Sequence, residues 1–180
     1  LGALYEQGEG VSKDPARAAV LFQKACNGGE LGGCSSLGSL YEKGVGVSKD
    51  PARAAALYQK VCDGGFVSYC YNLGILYEQG EGVSKDLARA AALNQKACDG
   101  GLAVGCIALG VFYWRGEGVS KDPARAAVLF QKACDAGEAP GCTNLGILYD
   151  KRAGVSKDPA RAAALFKQAC GLGDKDACNR

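Results

Sequence analysis

Between Ala52 and Cys62 the apolar residues Ala54, Leu57, Tyr58 and Val61 recur at i, i+3, i+4 and i+7, a spacing that predicts a helix with one buried stripe. Asp50 precedes it as a residue able to cap free backbone N–H groups, and Pro51 suits the first helical position. Gly64-Gly65 closes the helix, because glycine takes the left-handed cap at little steric cost. A second helix is predicted from about Phe66 to Gln79, with Leu73, Leu76 and Tyr77 as its stripe. Gly74 on that stripe lets a neighbouring helix approach closely, and Gly80-Glu81-Gly82-Val83 turns the chain onward.

The same pattern returns along the whole chain. The segment Leu1–Tyr5 reappears as Leu37–Tyr41, Leu73–Tyr77, Leu109–Tyr113 and Leu145–Tyr149, at a spacing of 36 residues each time. Five units, 1–36, 37–72, 73–108, 109–144 and 145–180, fill the 180 residues without insertion. Neither helix of a unit can bury its stripe alone, so neighbours must stack into one continuous core. The expectation is an all-α solenoid forming a single repeat array. The chain begins and ends inside helical patterns, as a segment of a longer secreted protein would.

Cysteine adds a second constraint. Ten cysteines fall into five pairs: Cys26 with Cys34, Cys62 with Cys70, Cys98 with Cys106, Cys134 with Cys142, and Cys170 with Cys178. Every pair is C-x7-C and none is left over. An even count at fixed spacing reads as a disulfide framework, and hence an oxidising compartment, periplasmic or extracellular. Each bridge would cross a helix–helix corner and contribute roughly 2–3 kcal/mol in the chain-entropy picture. Reduced cysteines acting as small apolar residues are one alternative. Zinc is another, but the chain has no histidine and its pairs lie a full repeat apart. No metal and no other cofactor is expected. The net charge of +2 is spread evenly with no basic stripe, which argues against nucleic acid, and no apolar run reaches membrane-spanning length.

The pattern Leu-Gly-x-Leu-Tyr-x-x-Gly-x-Gly-Val, then Asp-Pro-x-x-Ala, then Lys-Ala-Cys resembles the Sel1-like repeat, a relative of the tetratricopeptide repeat. Its C-x7-C version is similar to the Helicobacter cysteine-rich proteins. The resemblance implies a right-handed α–α superhelix stapled by these disulfides, and secretion. It also implies two kinds of function. One is a scaffold, a monomer that binds a protein, peptide or cell-wall (peptidoglycan) fragment on its concave face. The other is a penicillin-binding protein that slowly hydrolyses β-lactams.

The residues themselves offer no catalytic motif. No serine is followed by lysine at the third position, Ser-Asp-Asn and Lys-Thr-Gly are absent, and without histidine no Ser-His-Asp or Cys-His arrangement can form. The recurring Gly-x-Gly-Val-Ser-Lys joins two helices and follows no strand, so it reads as a structural turn and not a phosphate cradle.

Differences between the units concentrate around the second cysteine of each pair. The resemblance puts the first helix of each pair on the concave face, where Tyr69, Tyr71, Asn72 and Asn144 would meet a ligand. Trp114 joins them as a candidate contact, because the other units carry Glu6, Glu42, Glu78 and Asp150 there. Drift at exposed positions accounts for the same variation equally well, and for Trp114 so does packing on Arg115. Three departures mark local weak spots: Asn94 in place of an aromatic, Leu87 in place of proline, and Arg152 in place of a helix-ending glycine.

Overall fold

The computed structural model describes all 180 residues, Leu1–Arg180, and is all-helical. Its ten α-helices are α1 (Gly2–Gln7), α2 (Pro15–Asn27), α3 (Leu31–Lys43), α4 (Pro51–Asp63), α5 (Val67–Gln79), α6 (Leu87–Asp99), α7 (Ala103–Arg115), α8 (Pro123–Asp135), α9 (Ala139–Lys151) and α10 (Pro159–Gly171). A 3-10 turn, Ala177–Asn179, follows. The helices form two compact units, Leu1–Asp86 with α1 to α5 and Leu87–Arg180 with α6 to α10. Odd-numbered helices carry the Leu-Gly-x-Leu-Tyr motif, with Phe112 for the second leucine in α7, and are the first helices; even-numbered ones are the second.

Local chemistry sets the helix limits. Asp14 and Asp50 in the first unit, and Asp122 and Asp158 in the second, each accept the backbone N–H three residues on, at 2.9–3.0 Å. This satisfies one otherwise orphaned donor per helix start. First helices end in a left-handed residue, as at Gly44 with φ 69°. The second glycine of the turn has a different task. A Cβ on Gly46 would overlap the backbone of Pro15 and Ala16, so the turn rests directly on the start of α2. The Gly-x-Gly segment is thus a packing joint between successive helix pairs.

In the first unit, the ring of Tyr58 on α4 lies against α3, where a Cβ on Gly38 would sit 2.7 Å from it. Tyr58 is 1% exposed and packs among helices whose Leu37, Leu40 and Val61 are equally buried. In the second unit the core joins Phe130, Leu145, Leu148 and Phe166. Arg–Tyr stacks repeat in both: Arg17 over Tyr5 and Arg53 over Tyr41, then Arg125 over Tyr113 and Arg161 over Tyr149, at 4.6–5.3 Å. Lys60 Nζ donates to the carbonyl of Cys26 at 3.1 Å in the first unit, and Lys132 Nζ to that of Cys98 at 2.8 Å in the second.

All ten cysteines are bridged, each to its C-x7-C partner. In the first unit Cys26 bonds Cys34 and Cys62 bonds Cys70. In the second, Cys98 bonds Cys106, Cys134 bonds Cys142 and Cys170 bonds Cys178. The Cα–Cα separations are 4.5–4.8 Å. Each of the first four bridges links the last turn of a second helix to the fourth residue of the next first helix, which is Cys34 on α3, Cys70 on α5, Cys106 on α7 and Cys142 on α9. Those four cysteines are fully buried, and their partners are at most 3% exposed, so water and thiols do not reach the sulfurs. The fifth differs: Cys178 is exposed, in the 3-10 turn.

Two of the three departures have visible consequences. Arg152 keeps the left-handed backbone that glycine holds elsewhere, φ 56°, the only non-glycine residue to do so. Asn94 is 2% exposed and its Oδ1 has no hydrogen-bond partner. Leu87 still opens α6 at the position that proline takes in its neighbours.

Bridge exposure predicts the order of reduction. Titrating the native 180-residue protein with a thiol reductant, alkylating and mapping peptides should label Cys170 and Cys178 first, because exchange requires attack on an accessible sulfur. Simultaneous labelling of all five pairs would contradict this. Thermal or urea melts should also find both irregular sites improvable. Arg152→Gly removes left-handed strain and should gain about 1 kcal/mol. Asn94→Leu removes an unsatisfied buried acceptor and should gain about 1–2 kcal/mol. A loss of stability in either variant would refute the corresponding reading.

Candidate binding surface on the first helices

The first helices carry a row of half-buried side chains that the core covers only in part. On α3 these are Ser35, Ser36, Ser39 and Glu42; on α5, Tyr71, Asn72 and Ile75, with Glu78 exposed. In the second unit the same registers hold Ile107, Ala108, Val111 and Trp114 on α7, then Thr143, Asn144 and Ile147 on α9, with Asp150 exposed. Periodicity explains the placement. The motif leucines, glycine and cysteine face inward, and positions one residue off that stripe fall at its edge.

The row has a different character in each unit. In the first it is polar. Tyr58 Oη donates to Glu42 Oε2 at 2.7 Å, and Ser39 hydrogen-bonds the same phenol oxygen. Burial, reinforced by the bond to Glu42, pushes the Tyr58 phenol well above its ordinary pKa, so it stays protonated. In the second unit the row is more apolar: Ile107, Val111, Trp114 and Ile147 all pack against the core cluster while remaining partly open, beside the polar Thr143 and Asn144.

The five residues singled out from the sequence divide between the units. Tyr71 and Asn72 lie in the half-buried row of α5, and Asn144 in that of α9. Trp114 is half-buried against the core cluster beside Val111 of its own helix; Arg115 instead faces Glu117, 3.8 Å away. Tyr69 lies apart from the row. Its ring is 5.4 Å from that of Tyr58, and it packs on the cluster of Cys26, Cys34 and Val61. The matching positions in other repeats are Gly33, Gly105 and Gly141, which touch the preceding helix, so this register is a packing position.

Asn144 has a structural neighbour. Thr143 Oγ1 donates to Asp174 Oδ2 at 2.6 Å, and Asp174 Oδ1 accepts the backbone N–H groups of Asp176 and Ala177 at 3.0 and 3.2 Å. The Thr143 bond, followed by that from Ala177, holds the Asp174 carboxyl below its usual range. Thr143 is therefore committed to anchoring the segment around Cys178.

Sequence reasoning missed Ile75, Val111 and Ile147, which with Ile107 and Trp114 make up the apolar part of the row. Their signal was present in the register. At one position the units read Ala3, Ser39, Ile75, Val111 and Ile147, a change from small or polar to aliphatic beside motif residues that hardly vary. No group of three or more potential metal ligands comes together, and no helix is long and apolar enough to cross a membrane.

The sequence profile of the Sel1 repeat matches residues 1–30, 33–66, 67–102, 103–138 and 139–174. No curated protein matches the chain. Among solved structures, a protective antigen of uropathogenic Escherichia coli with an SLR fold is 31% identical, with a TM-score of 0.93 over 98% of this chain; the chain spans only 38% of that protein. A Sel1 repeat protein from Oxalobacter formigenes is 30% identical, with a TM-score of 0.94 over 99% of this chain and 73% of its own. Helicobacter pylori cysteine rich protein B is 34% identical, with a TM-score of 0.56, covering 72% of this chain and 93% of its own. Motif, period and helix pattern agree with the profile over nearly the full length, and the chain belongs to the Sel1 repeat family.

Proposed function

We propose that the chain is a secreted or periplasmic scaffold that binds a protein, a peptide or a cell-wall fragment along the half-buried row of its first helices. One observation carries this reading. The row is the part of each first helix that lies at the edge of the core and differs between repeats, so half-buried side chains such as Tyr71, Asn72 and Asn144 are placed to define a partner. Asn72 and Asn144 offer paired donors and acceptors suited to the amides of an extended peptide. Tyr71 adds rigid contact area at low entropic cost. The five bridges fit an oxidising, non-cytoplasmic setting.

Binding to a peptide and muropeptide library should be saturable and should weaken about tenfold or more on changing Asn72, Asn144 or Tyr71 to alanine, while the helical circular dichroism is unchanged. Unaltered binding by all three variants would move the site elsewhere.

The β-lactam alternative meets a specific obstacle at the buried phenol that α4 places beside the row. Tyr58 is held in its neutral form by burial and by Glu42, so it supplies no base near neutral pH. Every thiol is bridged. The oxidised protein should leave nitrocefin unhydrolysed relative to a mock purification and show no mass adduct. Turnover above the mock, abolished by reducing the bridges, would reverse the order of the two readings.

A further inference from the structure

A second surface lies away from the row on the first helices. In the second unit, α8, α9 and the turn after α9 enclose a groove of about 280 Å3. Ala124, Ala127 and Val128 of α8, Leu145 of α9 and Val155 of the turn make it apolar. Val128 is 69% exposed, an aliphatic side chain left in solvent. The core does not require it, because Ala56, Ala92 and Ala164 occupy this register in other repeats.

One end of the groove is charged. The guanidinium of Arg161 lies 4.7 Å over the ring of Tyr149, and its Nη2 donates to Gln131 Oε1 at 3.4 Å. Stacking fixes the plane of the guanidinium and leaves N–H donors for an anion. Asp158, the acid nearest in sequence, is engaged by the backbone N–H of Arg161 at 2.9 Å.

The first unit contains the same groove without the charge. Ala16, Ala19, Val20, Leu37 and Val47 match the five apolar residues one for one, and Val20 is again 69% exposed. Its arginine, Arg53, is taken up elsewhere: Nη1 donates to Tyr41 Oη at 2.9 Å and Nε pairs with Asp50 at 3.1 Å.

We propose that the α8–α9 groove binds the C-terminal carboxylate of a polypeptide whose last side chain is aliphatic. The side chain covers Val128, Ala127 and Val155, and the carboxylate takes the N–H donors of Arg161 as a charge-assisted pair. Charge complementarity selects this occupant over a purely apolar one, and the aliphatic floor selects it over a free anion. The site is open, so affinity is modest, on the order of 1 mM for a short peptide.

The test uses the oxidised 180-residue protein and two probes, acetyl-Ala-Gly-Gly-Leu with a free carboxylate and the same peptide as its amide, followed by 1H–15N chemical-shift titration. The acid should shift the amides of Val128, Tyr149 and Arg161, and the carboxamide should bind about tenfold more weakly or worse, as loss of a charged hydrogen-bond partner implies. Arg161→Gln should match that loss. Val128→Ala, which places in the groove a residue its sister repeats already carry, should fold normally and weaken the acid about threefold to tenfold, as removal of buried methyl groups does. Val20→Ala should change nothing. Equal binding of acid and amide, shifts confined to the first-helix row, no shift at all up to about ten times the expected dissociation constant, or a Val128→Ala variant that binds like wild type would each overturn the proposal.

Discussion

Each repeat depends on a helix that cannot bury its own apolar face, and the cysteine bridges act where that dependence is sharpest. Within either unit, a bridge such as Cys62–Cys70 or Cys98–Cys106 joins the end of a second helix to the first turn of the next first helix. In the phase of the family profile, Cys26 lies in 1–30 and Cys34 in 33–66, and Cys134 in 103–138 and Cys142 in 139–174. The bond therefore crosses the border between one Sel1 unit and its neighbour. Solenoid stability is approximately a sum of repeat terms and nearest-neighbour terms. A covalent tie at that border strengthens the second kind, and so couples units that would otherwise separate first.

Around each tie, the remaining contacts serve the same coupling. Lys60 and Lys132 reach one repeat back to the carbonyl of a bridged cysteine, which also satisfies an acceptor at a helix end. Gly46 and Gly154 let the long turn press on the start of an earlier helix. Gly33, Gly105 and Gly141 bring a first helix against the helix before it, beside the bridge. The turn contact is backbone against backbone, so it tolerates little change, and the glycine of Gly46 and Gly154 recurs in every repeat, whereas the register of Gly33 also admits Tyr69 and Ala177.

That uniformity made the fold legible. The i, i+3, i+4, i+7 stripe, the Asp-Pro starts and the C-x7-C spacing each pointed to one arrangement, and helix limits such as Val67–Gln79 follow from them. Arg152 was legible for the same reason, since a left-handed cap is a local demand that any residue placed there must meet. The proposed binding row was only partly legible. Tyr71, Asn72 and Asn144 do sit on a half-buried face of the first helices, but Tyr69 varies in sequence for a packing reason: a ring replaces glycine and leans on Tyr58. Variation between repeats cannot by itself separate a side chain that meets solvent from one that fills a gap. The Tyr58–Glu42 bond was invisible for another reason, because it joins residues sixteen apart, and the counterparts of Tyr58 in other repeats are phenylalanine or asparagine.

The division between invariant frame and variable row has a consequence for what such a chain can recognise. Because bridges and glycine joints carry the coupling, exchanging Glu for Trp at one register, as between Glu42 and Trp114, leaves the helix register untouched. The first unit then presents hydroxyls, an amide and carboxylates around Ile75 on its first helices, and the second presents mainly aliphatic groups and an indole beside Thr143, Asn144 and Asp150. Polar contacts reject mismatched partners more sharply than apolar ones, since an unpaired buried group costs more than a missing methylene. On that ground the proposed binding row would draw its selectivity mainly from Tyr71, Asn72 and Asn144, and its contact area mainly from Ile75, Ile107, Val111, Trp114 and Ile147.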